Sequence, residues 1–352
     1  MGNRITGYLG TYSEEIYAFT LDMEEGRIED IRIAAESPKP SFLTVAPSKK
    51  YLYAINELGK DEGGGMVSAF KRDPLSGKLA RLNQVPSEGF FPCHVVINDR
   101  ETHAVVSNYA SGTLAVLPLG PDGVLGKAVQ VITLSGAGPN TERQEGPHAH
   151  SFLFDRSFTR GFAFDLGTDR LMAYSFDPFA DLPLTAAAIP WFNVNPGAGP
   201  RHGIFDPTGT HGYSINELAS TVDVLKYNQS TGIFEELQNI SALPEGIAGL
   251  NSIAAAIKIS PDGNFVYTSN RGHDSIAVFK RDAASGALTL TGCIPSGGKT
   301  PRDFSIDPSG NFLLVCNQDS NTMAVFRINR ATGDLVKLFA YPVPTPVCVI
   351  FS

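Results

Sequence analysis

Short apolar runs alternate with polar turns along the chain, and the alternation itself repeats. An apolar strand, a turn rich in Asp, Pro and Gly, a second apolar strand and then Asn recur several times. They read VAPSKKYLYAINE (45–57), INDRETHAVVSNY (97–109), FDPTGTHGYSINE (205–217), ISPDGNFVYTSNR (259–271) and IDPSGNFLLVCNQ (306–318). FDRSFTRGFAFDL (154–166) is the same unit with Asp165 in place of Asn. The polar markers fall at 56, 108, 165, 216, 270 and 317, a spacing of roughly fifty residues that suits a repeat architecture.

A second marker lies inside each unit. An apolar residue stands seven positions before a turn glycine in Phe19/Gly26, Phe70/Gly77, Leu225/Gly232, Phe279/Gly286 and Phe326/Gly333; Leu117/Gly123 is one residue shorter. A strand, a turn closing on Gly and a second strand make a hairpin. Each unit therefore predicts four short strands. No segment sustains the 3, 4, 7 apolar spacing of an amphipathic helix.

Four strands per unit of this length is the pattern of a propeller blade. Six units carry the polar marker. PVCVIFS (346–352) resembles a first strand and YLGTYSEEIYAF (8–19) the later strands of a seventh. The prediction is an all-β, seven-bladed β-propeller over 1–352 as one domain. It has four antiparallel strands per blade and is closed by pairing of the N- and C-terminal strands, which leaves no free sheet edge. The competing architecture is an array of β-sandwiches.

Composition fits this picture. The 35 Gly and 24 Pro among 352 residues supply many turns, and 42% hydrophobic residues supply a core. A net charge of −8 argues against nucleic acid or an anionic membrane as the main partner. No apolar run reaches transmembrane length, and MGNRITGYLGTYSEE has no signal-peptide core. Met1-Gly2 with Thr6 fits a myristoylation pattern only loosely, and a structural strand is the favoured reading there. Cys93, Cys293, Cys316 and Cys348 are scattered without a CxxC, so the expectation is reduced thiols and a cytoplasmic protein. The expected oligomeric state is a monomer or a weak homo-oligomer.

In a propeller, equivalent repeat positions converge at the mouth of the central channel. One such row follows a Pro at the start of the first strand: Ser41, Cys93, His148, Arg201, Ala255, Arg302 and Val347. Another follows the polar marker: Thr11, Glu57, Tyr109, Leu166, Glu217, Arg271 and Gln318. A structural ring would repeat one residue type, whereas these rows carry charge in several units. Ionisable groups gathered on an apolar scaffold form a candidate active site. The marker residues Asn56, Asn108, Asn216, Asn270 and Asn317 read as structural, because Asn satisfies backbone groups at strand ends. His148 and His150 in GPHAHSF fall on one face of an extended strand. A metal site with His94 or His202 is disfavoured by the surrounding Arg. His94, His150 and His202 occupy similar repeat positions, which leaves His148 as the functional candidate.

At these residues the sequence resembles a known family. GPHAHS, GPRHGIFDPTGTHGYSINEL, ISPDGNFVYTSNRG and TPRDFSIDPSGNFLLVCNQ are similar to the lactonase family of seven-bladed propellers. That family includes bacterial 6-phosphogluconolactonases and fungal 3-carboxy-cis,cis-muconate lactonizing enzymes, and the resemblance covers essentially the whole chain. It implies His148, Arg201, Glu217 and Arg271 as the catalytic group, with no metal and no organic cofactor. It implies carbohydrate metabolism, at the pentose phosphate pathway. The single Trp191 and the lack of repeated Trp-Asp pairs fit a WD40 scaffold poorly.

Lactone hydrolysis needs an activated water and a stabilised oxyanion. Glu217 or His148 could be the general base, and Arg271 or Arg201 could stabilise the developing charge. Arg302 is the candidate for a two-pronged contact to a phosphate. Glu57, Tyr109 and Gln318 are further candidates for substrate binding. The expected substrate is a small anionic sugar lactone or carboxylate. The same groups could run muconate-type lactonization, and a non-catalytic propeller binding a partner through an apolar top face is the third reading. The enzyme reading expects Glu217→Gln and His148→Ala to abolish activity with thermal stability nearly unchanged. Two longer segments, KDEGGG (60–65) and LSGAGPNTERQEG (134–146), extend loops. The second is read either as a surface loop or as a lid.

Overall fold

A computed structural model describes residues 4–247 and 251–352; Met1 and Gly2 of the myristoylation-like pattern lie outside them. Seven four-stranded antiparallel sheets make up the structure, and they are the seven blades of a β-propeller. The described residues contain one helical turn, the 3₁₀ segment Lys60–Glu62 in the KDEGGG insertion. The C-terminal strand Pro346–Phe351 pairs beside Arg4–Thr11 and completes the first blade with Glu15–Asp22 and Ile28–Glu36. The blade closure expected from the chain ends is therefore present.

The chain divides into two compact units. One comprises Met1–Leu9, Phe19–Ile31 and Arg201–Phe351, and includes the sheets that begin at Arg201, Ile253 and Pro301 (blades 5, 6 and 7). The other comprises Gly10–Ala18, Arg32–Pro200 and Ser352, and includes blades 2, 3 and 4.

Burial explains the hydrophobic pattern of each blade. The second strands His103–Asn108, His211–Asn216 and Phe312–Asn317 are buried at every residue. Covered on both faces, they lack the in-and-out alternation of a half-exposed strand, and their few polar residues are small or hydrogen-bonded. The outer strands Leu184–Asn193 and Ile233–Ser241 keep one face in water and alternate. The core lies between neighbouring blades. Tyr53, Ile55 and Val67 of blade 2 pack with Val95, Val106 and Leu117 of blade 3. Tyr267 and Val278 of blade 6 pack with Phe304, Leu313 and Phe326 of blade 7.

The turn glycines have a specific job. Tyr53, Tyr213 and Tyr267 donate their buried hydroxyls to the carbonyls of Gly123, Gly286 and Gly333, at 3.0, 2.9 and 3.0 Å. Each bond joins one blade to the hairpin turn of the next. Gly333 has φ +79° and would place a Cβ 2.4 Å from the Phe265 ring. Both conformation and space thus require glycine there. The marker Asn residues are structural too. Asn56, Asn108, Asn270 and Asn317 are buried and donate their amides to the carbonyls of Pro38, Ser87, Ala242 and Ser296.

A second repeat motif sets the blade tops. Lys39, Phe91, Thr300 and Thr345 each precede a proline and have φ of 44°, 48°, 58° and 35°, uncommon for residues other than glycine. The carbonyls of Lys39, Phe91 and Thr300 accept the N–H of Glu57, Tyr109 and Gln318. In blades 2, 3 and 7 this bond ties the residue before the proline to the residue after the marker. The carbonyl of His148 accepts the N–H of Leu166 in the same way.

Candidate active site

Strand register corrects one sequence alignment. Pro92 pairs with Asn108, Pro301 with Asn317 and Ala149 with Asp165. A β-bulge follows each, so Cys93, Arg302 and His150 are equivalent bulge residues. His148 is not equivalent to Cys93 and Arg302. It stands at the place of Phe91 and Thr300, before the strand begins. The bulge also removes the strict alternation that would put His148 and His150 on one strand face. His150 is not equivalent to His94 either, because His94 pairs with Ser107 beyond the bulge.

Three sequence candidates meet in the unit that holds blades 5–7. Arg201 follows Pro200 at the start of blade 5, and Glu217 and Arg271 end or follow second strands. Arg201 Nε donates to Glu217 Oε2 at 2.9 Å, and Arg271 Nη2 reaches the same oxygen at 2.7 Å. Arg201 Nη1 also donates to the carbonyl of Ala255 at 2.7 Å, and Arg271 Nη2 to that of Ala254 at 2.8 Å. The bulged start of the Ile253–Ile259 strand offers these two adjacent carbonyls. Arg201 Nη1 stands 3.3 Å from His202 Nε2. All three charged residues are buried, with relative exposures of 3%, 3% and 9%. Two guanidinium groups against one carboxylate leave the cluster with a net positive charge away from bulk water.

Two other candidates meet in the unit that holds blades 2–4. The rings of Tyr109 and His148 stack, with centroids 4.4 Å apart and planes 10° from parallel. His148 Nδ1 lies 3.0 Å from the Tyr109 carbonyl, and His148 Nε2 lies 3.2 Å from Glu145 Oε1. The backbone N–H of His148 donates to Asp165 Oδ1 at 2.7 Å. Here the Asp that replaces the marker Asn has a reason. Its carboxylate also accepts from the N–H of Gly167 and the hydroxyl of Thr168. Asn56, Asn108, Asn270 and Asn317 donate to a carbonyl, whereas blade 4 needs an acceptor for the N–H groups of His148 and Gly167. Burial pushes the Asp165 carboxyl above its ordinary range, against the opposing bonds from Thr168, His148 and Gly167.

The polar loop before His148 is pinned rather than loose. Gln144 is fully buried and donates to Leu166 O at 2.8 Å and Asp169 Oδ1 at 2.7 Å. Asp169 in turn accepts the N–H groups of Gly197 and Gly199. Asn140 Oδ1 accepts the N–H groups of Glu142 and Arg143, and Arg143 Nη2 reaches Tyr109 Oη at 3.3 Å. Glu145 is held below the ordinary carboxylate range chiefly by its own backbone N–H, against the opposing effect of burial and with further help from His148 and Arg143.

The remaining candidates have contacts of their own, residue by residue. Glu57 accepts from Tyr12 Oη at 3.1 Å and from the Ser41 hydroxyl. Gln318 turns its amide nitrogen to Asp319 Oδ1 at 3.0 Å. Arg302 is half-buried at its bulge, beside Asp303, which pairs with Lys258 at 3.4 Å. His150 lies edge-on to Tyr109 and near the Cys93 thiol. Among the described residues no three His, Cys, Asp or Glu are grouped as a metal site, and all four cysteines are free thiols. No described helix is long and apolar enough to cross a membrane. Sequence reasoning missed Gln144, Glu145 and Asp165. The signal for Asp165 was visible, as the one exception in a row of Asn.

Residues 5–351 match the family model described as "Lactonase, 7-bladed beta-propeller". The chain belongs to the lactonase family of seven-bladed β-propellers. A 6-phosphogluconolactonase of Bacillus subtilis is 39% identical over 302 residues, covering 85% of this chain and 84% of that protein. Another 6-phosphogluconolactonase, from Formosa agariphila, is 34% identical over 85% of each chain. The solved structure of a periplasmic gluconolactonase from Pseudomonas aeruginosa superposes with a TM-score of 0.93 at 32% identity, covering 99% of both chains. Family and relatives agree that this chain is a lactonase enzyme.

Proposed function

We propose that the protein hydrolyses a sugar lactone, with 6-phosphogluconolactone as the favoured substrate. The observation that carries the reading is the buried Arg201–Glu217–Arg271 cluster. Its surplus positive charge, shielded from water, suits the oxyanion that forms when water adds to a lactone carbonyl. Glu217 fixes both guanidinium groups, so they need not reorganise as charge develops. Its Oε2 already accepts from two donors, which favours a holding role over that of base. His148 is then the acid–base group. Arg302 is assigned to the substrate phosphate as a planar, two-pronged donor. The free thiols support a reducing, cytoplasmic setting.

The test is hydrolysis of 6-phosphogluconolactone beside gluconolactone, with chelator present and the spontaneous reaction subtracted. Faster turnover of the phosphorylated lactone, unaffected by chelator, is expected. Arg302→Met should raise the Michaelis constant for that substrate alone. Activity only on the unphosphorylated ring removes the phosphate assignment. No activity on either overturns the hydrolase reading and directs attention to muconate-type lactonization.

A further inference from the structure

Blade 3 places an aromatic ring in a row that other blades fill differently. Phe91 stands before the first strand of its blade, at the place taken by Lys39, Thr300 and Thr345 elsewhere and by His148 in blade 4. Its side chain is large and apolar, yet Phe91 is 40% exposed. A single exposed apolar residue is ordinary on a protein surface. Phe91 differs in where its neighbours lead.

Two backbone bonds and one close packing contact fix it. Its N–H donates to the carbonyl of Leu58 at 2.9 Å, and its carbonyl accepts the N–H of Tyr109 at 3.0 Å. The tip of the ring lies on Gly59, where a Cβ would come within 2.8 Å of it. Leu58 follows Glu57 in the chain, and the Tyr109 ring carries His148 stacked at 4.4 Å. Phe91 is thus anchored on one side to the segment that bears Glu57 and on the other to the residue that holds His148. All of them belong to the unit with blades 2–4.

Glu57 is oriented to accept. Tyr12 Oη reaches one of its oxygens at 3.1 Å, and the Ser41 hydroxyl reaches the other. A carboxylate oxygen takes about two hydrogen bonds, so each can accept a further one. An exposed apolar ring beside such acceptors suits a ligand with a carbon face and several hydroxyl donors. A polyhydroxylated six-membered lactone offers both. An unsaturated polycarboxylate brings no hydroxyl donor, and its charges would oppose that of Glu57.

We propose that Phe91 determines specificity in the lactonase reaction. Its ring is the platform for the carbon face of a sugar lactone, and Glu57 accepts hydroxyls of the same ring. This rests on the reading that the protein hydrolyses a sugar lactone beside His148.

The test compares Michaelis parameters on 6-phosphogluconolactone and gluconolactone. Phe91→Ala keeps the Cβ and removes the ring. It should raise KM about tenfold for each lactone that wild type hydrolyses, the scale of a lost aromatic contact. The kcat should stay within about twofold, because a platform holds substrate and transition state alike. Phe91→Tyr should restore the wild-type KM. δ-Valerolactone, the same ring without hydroxyls, isolates Glu57. Glu57→Gln should narrow the preference for gluconolactone over it about fivefold, the difference between a charged and a neutral acceptor. A second measurement reads binding without turnover. In a Trp191→Phe background, Phe91→Trp supplies the only indole, and the products 6-phosphogluconate and gluconate should quench it saturably. An unchanged KM in Phe91→Ala, or an indole signal indifferent to both products, overturns the platform. An unchanged preference in Glu57→Gln overturns the acceptor role. A wild-type protein inactive on both sugar lactones overturns the underlying reading instead.

Discussion

Glu217 carries the sharpest prediction, because structure and sequence expect different things of it. Sequence reasoning expects Glu217→Gln to abolish activity and spare stability. The structure places its carboxylate at 4% side-chain exposure between two buried guanidinium groups. An amide cannot compensate both, so the variant buries two nearly uncompensated cations. Breaking a buried pair in this way costs about 3–5 kcal/mol. For a chain of this size, with about 2 cal/mol/K per residue of unfolding entropy, that is a fall of roughly 4–7 °C in Tm. Arg271→Met does the opposite to the charge balance, leaving one guanidinium facing one carboxylate. It should lose activity just as fully, yet cost less stability than Glu217→Gln. Calorimetric melting of the two variants beside lactonase assays provides the comparison. Equal Tm losses, or a larger loss for Arg271→Met, would refute the charge-balance argument. Full activity in either variant would remove the cluster from the catalytic machinery.

Three further outcomes are expected. Tyr267→Phe deletes one hydroxyl bond between blades 6 and 7 and should cost about 1 kcal/mol in denaturant unfolding; no loss would mean that the bond is matched by water in the unfolded chain. Burial pushes the Asp223 carboxyl up to about 6, against amide bonds from Asn216 and Asn239. Its neutral form therefore adds stability that is complete below about pH 4 and lost as pH rises through 6. The stability of wild type relative to Asp223→Asn should fall by roughly 3 kcal/mol between pH 4 and 7, and a constant difference would contradict the shift. Gln144→Ala leaves the buried acceptors Leu166 O and Asp169 Oδ1 without their amide donor and should cost about 1–3 kcal/mol, a fall of roughly 1–4 °C in Tm for a chain of this size; an unchanged Tm would contradict the pinning of this loop.

What was legible in the sequence follows from what repeats. The seven blades could be read because the same physical demand recurs in each one. A strand buried on both faces stays largely apolar, a buried strand end is closed by an amide, and a turn pressed against the next blade has no room for a Cβ. Phe265 over Gly333 and Tyr267 bonded to its carbonyl are one instance of a requirement met again at Gly286 and Gly123. Arg201, Glu217 and Arg271 were found by the complementary logic, as charges where a structural row should be uniform.

The misreadings came from features that a row of letters does not carry. A bulge after Pro92, Ala149 and Pro301 inserts one residue into the first strand. Because that bulge is common to all three, the misalignment of His148 came from Pro147, which stands two residues before Ala149 and not at the place of Pro92 and Pro301. Nor does a sequence show which groups share an oxygen. Glu217 looked like a free base because nothing in SINEL says that two guanidinium groups already occupy Oε2. Glu145 looked like loop filler because the element that fixes it is a buried glutamine in a Gly-rich polar stretch, where no periodic signal exists. Both errors have one physical origin. Repeat position fixes where a side chain starts, but its protonation and its role depend on the partners it meets, and those partners come from outside the repeat.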